Sequence, residues 1–377
     1  MGVMNAPLLD IDLPGLAAEV ESYEPGQGNA WPTLFPLKYT SKFDIKSLAG
    51  KEGVPISADK VAFNVKAPTK TRKTVGAWSG ELEKIAISRD QDEIFINGYN
   101  DAKVLAAASP YDTAAKQDLV DMVYDDVTFV NTGINTKIEV DALRTASHGF
   151  KDYPATIDGD NATQDIINFN IPDENKTGVS GATKKWSVAA TADGIGDIIA
   201  LAKKIRKAGH LRPRFAFMDQ AAYDYLCAQK ATLERLAAWS VYKSGAVTLT
   251  ADSINIDNIN RYLQEKAKIT IVVLDVEAGI EDKAGNVTTI RPWAENVVVL
   301  SPTAQLGWTY YKTVPMVKNT DALQTYGAFY KVTRYSELNP MLEVTLAEAY
   351  VLCVLINRNS LGYINTEYTS WNNGATE

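Results

Sequence analysis

Between Leu119 and Ala142 the apolar residues recur every three or four positions: Leu119, Val123, Val127, Val130, Ile134, Ile138 and Ala142. That spacing puts them on one face of an α-helix. A start signal stands upstream, with Ser109 as N-cap, Pro110 at the first helical position and Asp112 in the first turn. Gly149 closes the run. The pattern predicts a helix over about 111–147, roughly 55 Å long at about 1.5 Å per residue. A helix of that length with one apolar stripe must lie across a sheet as a spine. Thr132 and Gly133 are the places where it would bend.

The segments before the spine are of a different kind. Residues 1 to about 48 repeat proline at 7, 14, 25, 32 and 36, which rules out all but a short turn near Leu16–Glu21. Trp31, Leu34, Phe35, Tyr39 and Phe43 make this arm too apolar for a solvated linker. It must dock, either on its own body or on a neighbouring subunit. From about Gly50 to Ile87 the signals are for strand. Val61, Phe63 and Val65 alternate with smaller or polar residues, Pro68 stops the run, and Lys70, Arg72 and Lys73 precede Val75–Trp78. This reads as a long hairpin with a basic tip or flank. A two-stranded ribbon alone is marginal in water, so it should lean on a partner surface. A helix is predicted over Asp90–Ala108 with Ile94, Tyr99, Ala102 and Leu105 inward.

After the spine, strands are predicted at Tyr153–Ile157 and Asp165–Ile171, then a polar loop over Asp173–Lys184. Asp193 and Asp197 open a helix whose Ile195, Ile198, Ala202 and Ile205 share a face. Lys203, Lys204, Arg206 and Lys207 fill its last turns before Gly209, in agreement with the helix dipole. A strand at Phe215–Met218 leads to a helix over Gln220–Trp239. Further strands are predicted at Ile269–Val276, Val297–Leu300, Tyr330–Arg334 and Leu342–Ile356, with a polar turn at Glu281–Asn286. The class is α+β, with a compact middle section of about 180–315 inserted between segments that pair with each other.

Composition narrows the chemistry. The 377 residues include two histidines, His148 and His210, and two cysteines, Cys227 and Cys353. Zinc sites of three histidines or four cysteines are thereby excluded, and a disulfide framework is not credible. The net charge is −8 and the isoelectric point near 5.1, which argues against a protein whose main work is neutralising nucleic acid. The densest apolar run, Ala349–Ile356, is far short of the roughly 20 residues that cross a bilayer. Met1–Pro14 lacks the basic and apolar regions of a secretory signal.

Gly194-Ile195-Gly196 opens a helix as a dinucleotide loop would, with Asp219 at a ribose-contact distance, but Ile199 stands where the third glycine belongs. A tight strand-to-helix turn fits better. Gly178-Val179-Ser180-Gly181 lies in a polar loop rather than a nucleophile elbow. Asp158, Asp160 and Asp165 could gather around a cation, yet Ala162 interrupts the ligand series and a turn is the simpler account. Cys227 and Cys353 read as small core residues. The basic run Lys203–Arg214 reads as a solvated helix end without interleaved aromatics. No catalytic set, cofactor or metal is expected.

Several runs in order resemble the tailed-phage major capsid protein of the lambda coat-protein type, the major capsid protein E family, which has the Hong Kong 97 fold. They begin with Trp31-Pro32-Thr33-Leu34-Phe35, then the ribbon and the spine helix, and Ile138-Glu139 through Leu143 to Gly149. Trp186, Asp193–Gly209 and Pro213–Tyr223 follow. The most characteristic run is Arg291-Pro292-Trp293 with Asn296–Leu300, Pro302, Leu306-Gly307 and Tyr310-Tyr311. Asn339-Pro340 with its following strand and Asn357 closes the series.

The resemblance implies an α+β, Hong Kong 97-like subunit without enzyme activity. It implies an N-terminal arm at 1–48, an extended hairpin loop at 49–87, and a peripheral domain at 88–179 with the spine helix. An axial domain at 180–315 and a return with C-terminal tail at 316–377 complete it. Such subunits form pentamers and hexamers of a phage head around double-stranded DNA, with no sequence-specific binding and no membrane. Localisation in the virion follows, with assembly in the bacterial cytoplasm. A separate scaffolding protein, a portal and a decoration protein are the implied partners. Trp31, Phe35, Lys70, Arg72, Lys73 and Trp78 are the expected assembly-interface residues. Lys66, Lys70 and Lys73 stand where some relatives cross-link a ribbon lysine. The competing readings are an encapsulin-like nanocompartment shell and an acidic α+β enzyme using Asp158, Asp160 and Asp165.

Overall fold

A computed structural model describes residues 5–24, 28–47, 78–108, 113–151, 167–244, 254–281, 285–318 and 320–371. The first elements are α1 (Leu13–Ser22), α2 (Trp31–Leu34), β1 (Leu37–Tyr39), β2 (Asp44–Ser47), β3 (Trp78–Glu81), β4 (Glu83–Asp92), α3 (Glu93–Ala108) and α4 (Thr113–His148). Then come β5 (Phe150–Lys151), β6 (Ile167–Asn168), β7 (Lys176–Thr177), α5 (Gly194–Lys207), β8 (Phe215–Met218), α6 (Gln220–Ala228), α7 (Lys230–Ser244) and α8 (Ile256–Lys266). β9 (Thr270–Val273), β10 (Ala278–Glu281), β11 (Val287–Ile290), β12 (Val297–Ser301), β13 (Gly307–Lys312), β14 (Leu323–Tyr326), β15 (Tyr330–Leu338), β16 (Met341–Leu355) and β17 (Gly362–Asn365) complete the series. The chain forms two compact units. One comprises Met1–Ile45, Glu81–Glu139 and Thr309–Cys353, the other Lys46–Gly80, Val140–Trp308 and Val354–Glu377.

The first unit is built on a sheet of order β1-β13-β16-β15-β14, with β4 also paired to β16. β16 is its centre. It runs antiparallel to β15 from Tyr330↔Ala349 to Leu338↔Met341 and to β4 from Leu342↔Asp92 to Val351↔Glu83. The spine expected over 111–147 is α4, 36 residues long, and Gly149 ends it at φ +74. Val123, Val127, Val130, Ile134 and Ile138 are all buried, as the periodicity requires. At Gly133 a β-carbon would overlap Ile87 Cδ1. The glycine thus leaves room for the Ile87 side chain of β4 beside α4.

The single stripe holds only for the first half of α4. Near its end Asn131, Asn135, Glu139, Asp141, Thr145 and Ser147 are buried as well. Some of their polar groups are met within the helix. Asn135 Nδ2 donates to the Asn131 carbonyl at 2.8 Å and Ser147 Oγ to the Leu143 carbonyl at 2.9 Å. Buried polar atoms need such partners to avoid the cost of desolvation.

The second unit has a sheet of order β7-β17-β12-β8-β9. Its core gathers Ile195, Ile198, Leu201 and Ile205 of α5, Ile259 and Leu263 of α8, and Val298 and Leu300 of β12. α5 begins as its sequence predicts, with the Asp193 side chain accepting from Gly196 N at 2.9 Å. β17 lies in this sheet, antiparallel to β12 from Val297↔Asn365 to Leu300↔Gly362. The C-terminal segment therefore divides. β14–β16 lie in the first unit's sheet and β17 in the second's.

Other differences have physical causes. The helix expected over Gln220–Trp239 is broken at Gln229, which has φ −66 and ψ 130. Its buried side chain accepts from Gly194 N at 2.7 Å. α3 buries Ile96, Tyr99 and Ala106, whereas Ile94 and Leu105, expected inward, face solvent. Residues 90–92, expected in that helix, extend β4 because they pair with β16. α8, β13 and β14 were not among the expected elements. The strand expected at Asp165–Ile171 is described only from Ile167, where β6 pairs with β5. The ribbon between 48 and 77, the start signal 109–112, Tyr153–Ile157 and the acidic turn 158–165 lie outside the described residues.

Candidate assembly surface

The arm is fastened to the first unit by two buried glutamates. Glu343 on β16 accepts from Leu8 N at 2.7 Å. Glu139 on α4 accepts from Ala30 N at 3.0 Å and from Trp31 N at 2.7 Å. Backbone N–H groups at a helix start have no intrahelical acceptor, and a carboxylate supplies one. Glu139 thus caps α2 from a distant part of the chain. Burial pushes both carboxyls above their usual range, against the pull of the hydrogen bonds they accept and, for Glu343, of Arg334.

Arg334 on β15 organises this corner. It is fully buried, as is Glu343, and its Nε donates to Glu343 Oε1 at 2.8 Å. Its Nη1 donates to the Val123 carbonyl of α4 at 2.5 Å. One guanidinium therefore links β15, β16 and α4, and through Glu343 the arm. Around it, Asn5 and Ser336 exchange backbone hydrogen bonds at 3.2 Å, and Asp10 pairs with Lys103.

The expected interface residues fall into two groups. Trp31 and Phe35 are buried on this chain's own residues, at 1% and 0% exposure. The Trp31 ring meets Phe329 edge-on at 5.7 Å, and Thr309 Oγ1 donates to the Phe35 carbonyl at 2.9 Å. Of the two dockings open to the arm, this stretch takes its own body, so neither ring is free to meet a neighbouring subunit. Trp78 begins β3, and its side chain lies outside the described residues, as do Lys66, Lys70, Arg72 and Lys73. Several apolar side chains reach solvent, two of which, Ile94 and Leu105, were expected inward. Ile94, Val104 and Leu105 on α3 are 81%, 71% and 62% exposed, and Leu338 beside the β15–β16 turn is 66% exposed. Exposure of Ile94 and Leu105 was not legible because their spacing fits a buried face equally well.

The other motifs have structural roles. The start of α5 is occupied by its own chain. Asp193 caps it, Arg235 Nη2 holds Asp193 at 2.5 Å, and Gln229 takes the Gly194 N–H. Donors that would bind a dinucleotide phosphate are used internally. Asp219 opens α6, accepts from Asn296 N at 3.4 Å, and burial pushes its carboxyl up to about 6. Cys227 and Cys353 are buried and not joined in a disulfide. Among the described residues no group of three or more His, Cys, Asp or Glu is placed to hold a metal ion. Nor is any helix there long and apolar enough to cross a membrane.

An α+β body, an arm fastened along it and apolar side chains left on an exposed helix describe a structural subunit built to associate. The chain belongs to the phage major capsid protein E family, whose sequence profile matches residues 61–361. It is a structural capsid protein of a tailed phage, located in the virion. No curated protein matches it. Among solved structures it is similar to a protein described as a prophage capsid protein from Escherichia coli, at 14% identity and a TM-score of 0.57. That match covers 94% of this chain and 99% of the other. It is also similar to a phage-related protein from Bordetella bronchiseptica, at 14% identity and a TM-score of 0.51, covering 97% and 98%. Both likenesses concern the fold, which is of the Hong Kong 97 type. The subunit self-assembles into capsids.

Proposed function

We propose that the subunit forms the pentamers and hexamers of a phage head that encloses double-stranded DNA. A separate scaffolding protein, a portal and a decoration protein are its partners in this reading. The family match over 61–361 carries it. Solvent-facing Ile94, Val104 and Leu105 support it, since apolar side chains grouped on one helix mark association surfaces. Residues 88–179 act as the peripheral domain, 180–315 as the axial domain, and 49–87 as the loop reaching a neighbour, with Lys70, Arg72, Lys73 and Trp78 at that contact. The buried arm residues Trp31 and Phe35 serve the interface indirectly, by fixing the strand β1 that follows them.

Size exclusion followed by negative-stain imaging tests the proposal. Capsomers or megadalton shells are expected when the chain is co-expressed with its scaffolding protein. A small discrete oligomer under every condition would refute it. Nuclease-protected DNA in particles isolated from infected cells separates a virion from a protein-loaded compartment.

A further inference from the structure

One end of the second unit's sheet gathers six exposed cations, none of them in an ion pair with a described residue. β8 and β9 are parallel neighbours, with Phe215 beside Thr270, and each is preceded by a short segment from the C-terminal end of a helix, α5 and α8 respectively. Thr270 N donates to the Arg214 carbonyl at 2.8 Å, and the Arg212 guanidinium donates to the Ala267 carbonyl. These bonds hold the two connecting segments side by side. Lys203, Lys204, Lys207, Arg214, Lys266 and Lys268 are all exposed there. Among the described residues none of the six forms an ion pair. The nearest carboxylate in sequence, Glu265, accepts from Trp239 Nε1 at 2.9 Å.

Helix dipoles explain cations at the ends of α5 and α8. They do not explain Arg214 or Lys268, which precede strands. Lys268 has φ +57, a left-handed conformation that glycine adopts without strain. A charged side chain thus stands at a position where the backbone favours glycine. Without these six residues the chain's excess of acids grows from eight to fourteen. Six exposed cations on one edge of so acidic a chain form a local site of the opposite sign.

We propose that this edge contacts the phosphate backbone of double-stranded DNA, an inference that rests on the capsid reading above. Protein partners are disfavoured because protein interfaces centre on buried apolar or aromatic anchors. None of the exposed large apolar residues lies on α5, α8, β8 or β9. Single strands are disfavoured for want of an exposed aromatic platform. Phosphate contacts need neither, carry no sequence information and exchange readily with salt. That suits a container whose contents must slide.

The test uses the purified full-length chain and a labelled duplex of about 24 base pairs, read by fluorescence anisotropy at several salt concentrations. K203E/K207E should bind about 10-fold or more weakly at low salt, with a log–log salt slope shallower by about two. K268G should also weaken binding while raising the thermal midpoint, a split that loss of folding cannot produce. K318E, a charge reversal elsewhere, should leave binding unchanged. Equal affinity of wild type and K203E/K207E would overturn the proposal, as would tighter binding to poly-glutamate of matched charge than to the duplex. Negative-stain imaging of the same variants keeps the two readings apart. Shells from K203E/K207E show assembly intact, while absence of shells from wild type would count against the capsid reading alone.

Discussion

Replacing Arg334 by methionine should produce a penalty that depends steeply on pH. Arg334 and Glu343 are both fully buried and joined at 2.8 Å. Methionine fills much of the space but removes the charge. Glu343 would then keep the hydrogen bond from Leu8 N at 2.7 Å. A buried carboxylate in that position escapes the cost of its charge by taking up a proton. From an ordinary value of about 4.5, protonation at pH 7 costs roughly 3.4 kcal/mol, which caps the charge contribution. The lost hydrogen bond to the Val123 carbonyl adds about 1 kcal/mol. The total is about 4–5 kcal/mol at pH 7, in the range seen when one partner of a buried pair is removed.

At pH 5 the same protonation costs only about 0.7 kcal/mol, so the penalty should shrink to about 2 kcal/mol. R334M/E343Q carries a neutral acceptor for Leu8 and needs no proton. Its penalty should be about 2 kcal/mol at both pH values, making it more stable than R334M at pH 7. Urea unfolding of the unassembled subunit at each pH, referred to wild type, measures these differences. A penalty for R334M that is the same at pH 5 and pH 7 would sink the reasoning. So would a double variant no better than the single one.

Three further outcomes are expected. Asp219→Asn removes a carboxyl whose folded value is raised to about 6. Such a group costs stability increasingly as pH rises from about 4 to 6, so the variant should match wild type near pH 4 and exceed it by about 1–3 kcal/mol at pH 7.5. Thermal midpoints across that range check it, and a deficit at pH 7.5 would contradict it. Gly178→Ala would place a β-carbon 2.6 Å from Ser370 N, a backbone atom that cannot step aside. The segment after β17 should then become protease-sensitive, with about 2 kcal/mol or more lost. Glu139→Ala leaves two backbone donors of the arm without acceptors, worth about 2–3 kcal/mol. Amides of residues 30–35 should exchange about 30- to 100-fold faster, and unchanged protection would show that other contacts hold the arm.

How much of this was legible beforehand differs by element. α4 and α5 were readable because their determinants are local: a three-to-four periodicity, an Asp193 cap, basic residues in the last turn and a terminal glycine. α8 has comparable signals, an Asn255 cap with Ile259 and Leu263 on one face, but only two buried apolar positions in 11 residues to mark its period. The break at Gln229 was not readable, since it is set by Gly194 and Trp186, residues distant in the chain. The arm's tethers were hidden for the same reason. Nothing in the local pattern around Glu139 or Glu343 says that their acceptors will meet Trp31 and Leu8.

The sequence by itself determined that the chain is α+β, that a long helix must lie on a sheet, and that histidine and cysteine chemistry is scarce. It also carried the ordered runs that mark a phage capsid protein. The tertiary structure alone decided which charges are buried together. β15 pairs with β16 in one register, Ser336 beside Glu343 and Arg334 beside Thr345. That register, with α4 laid over it, puts Arg334 within reach of Glu343 and of Val123. A slip of one residue would turn each of these side chains to the other face. Periodicity names the face of an element, while pairing between distant strands decides what that face meets.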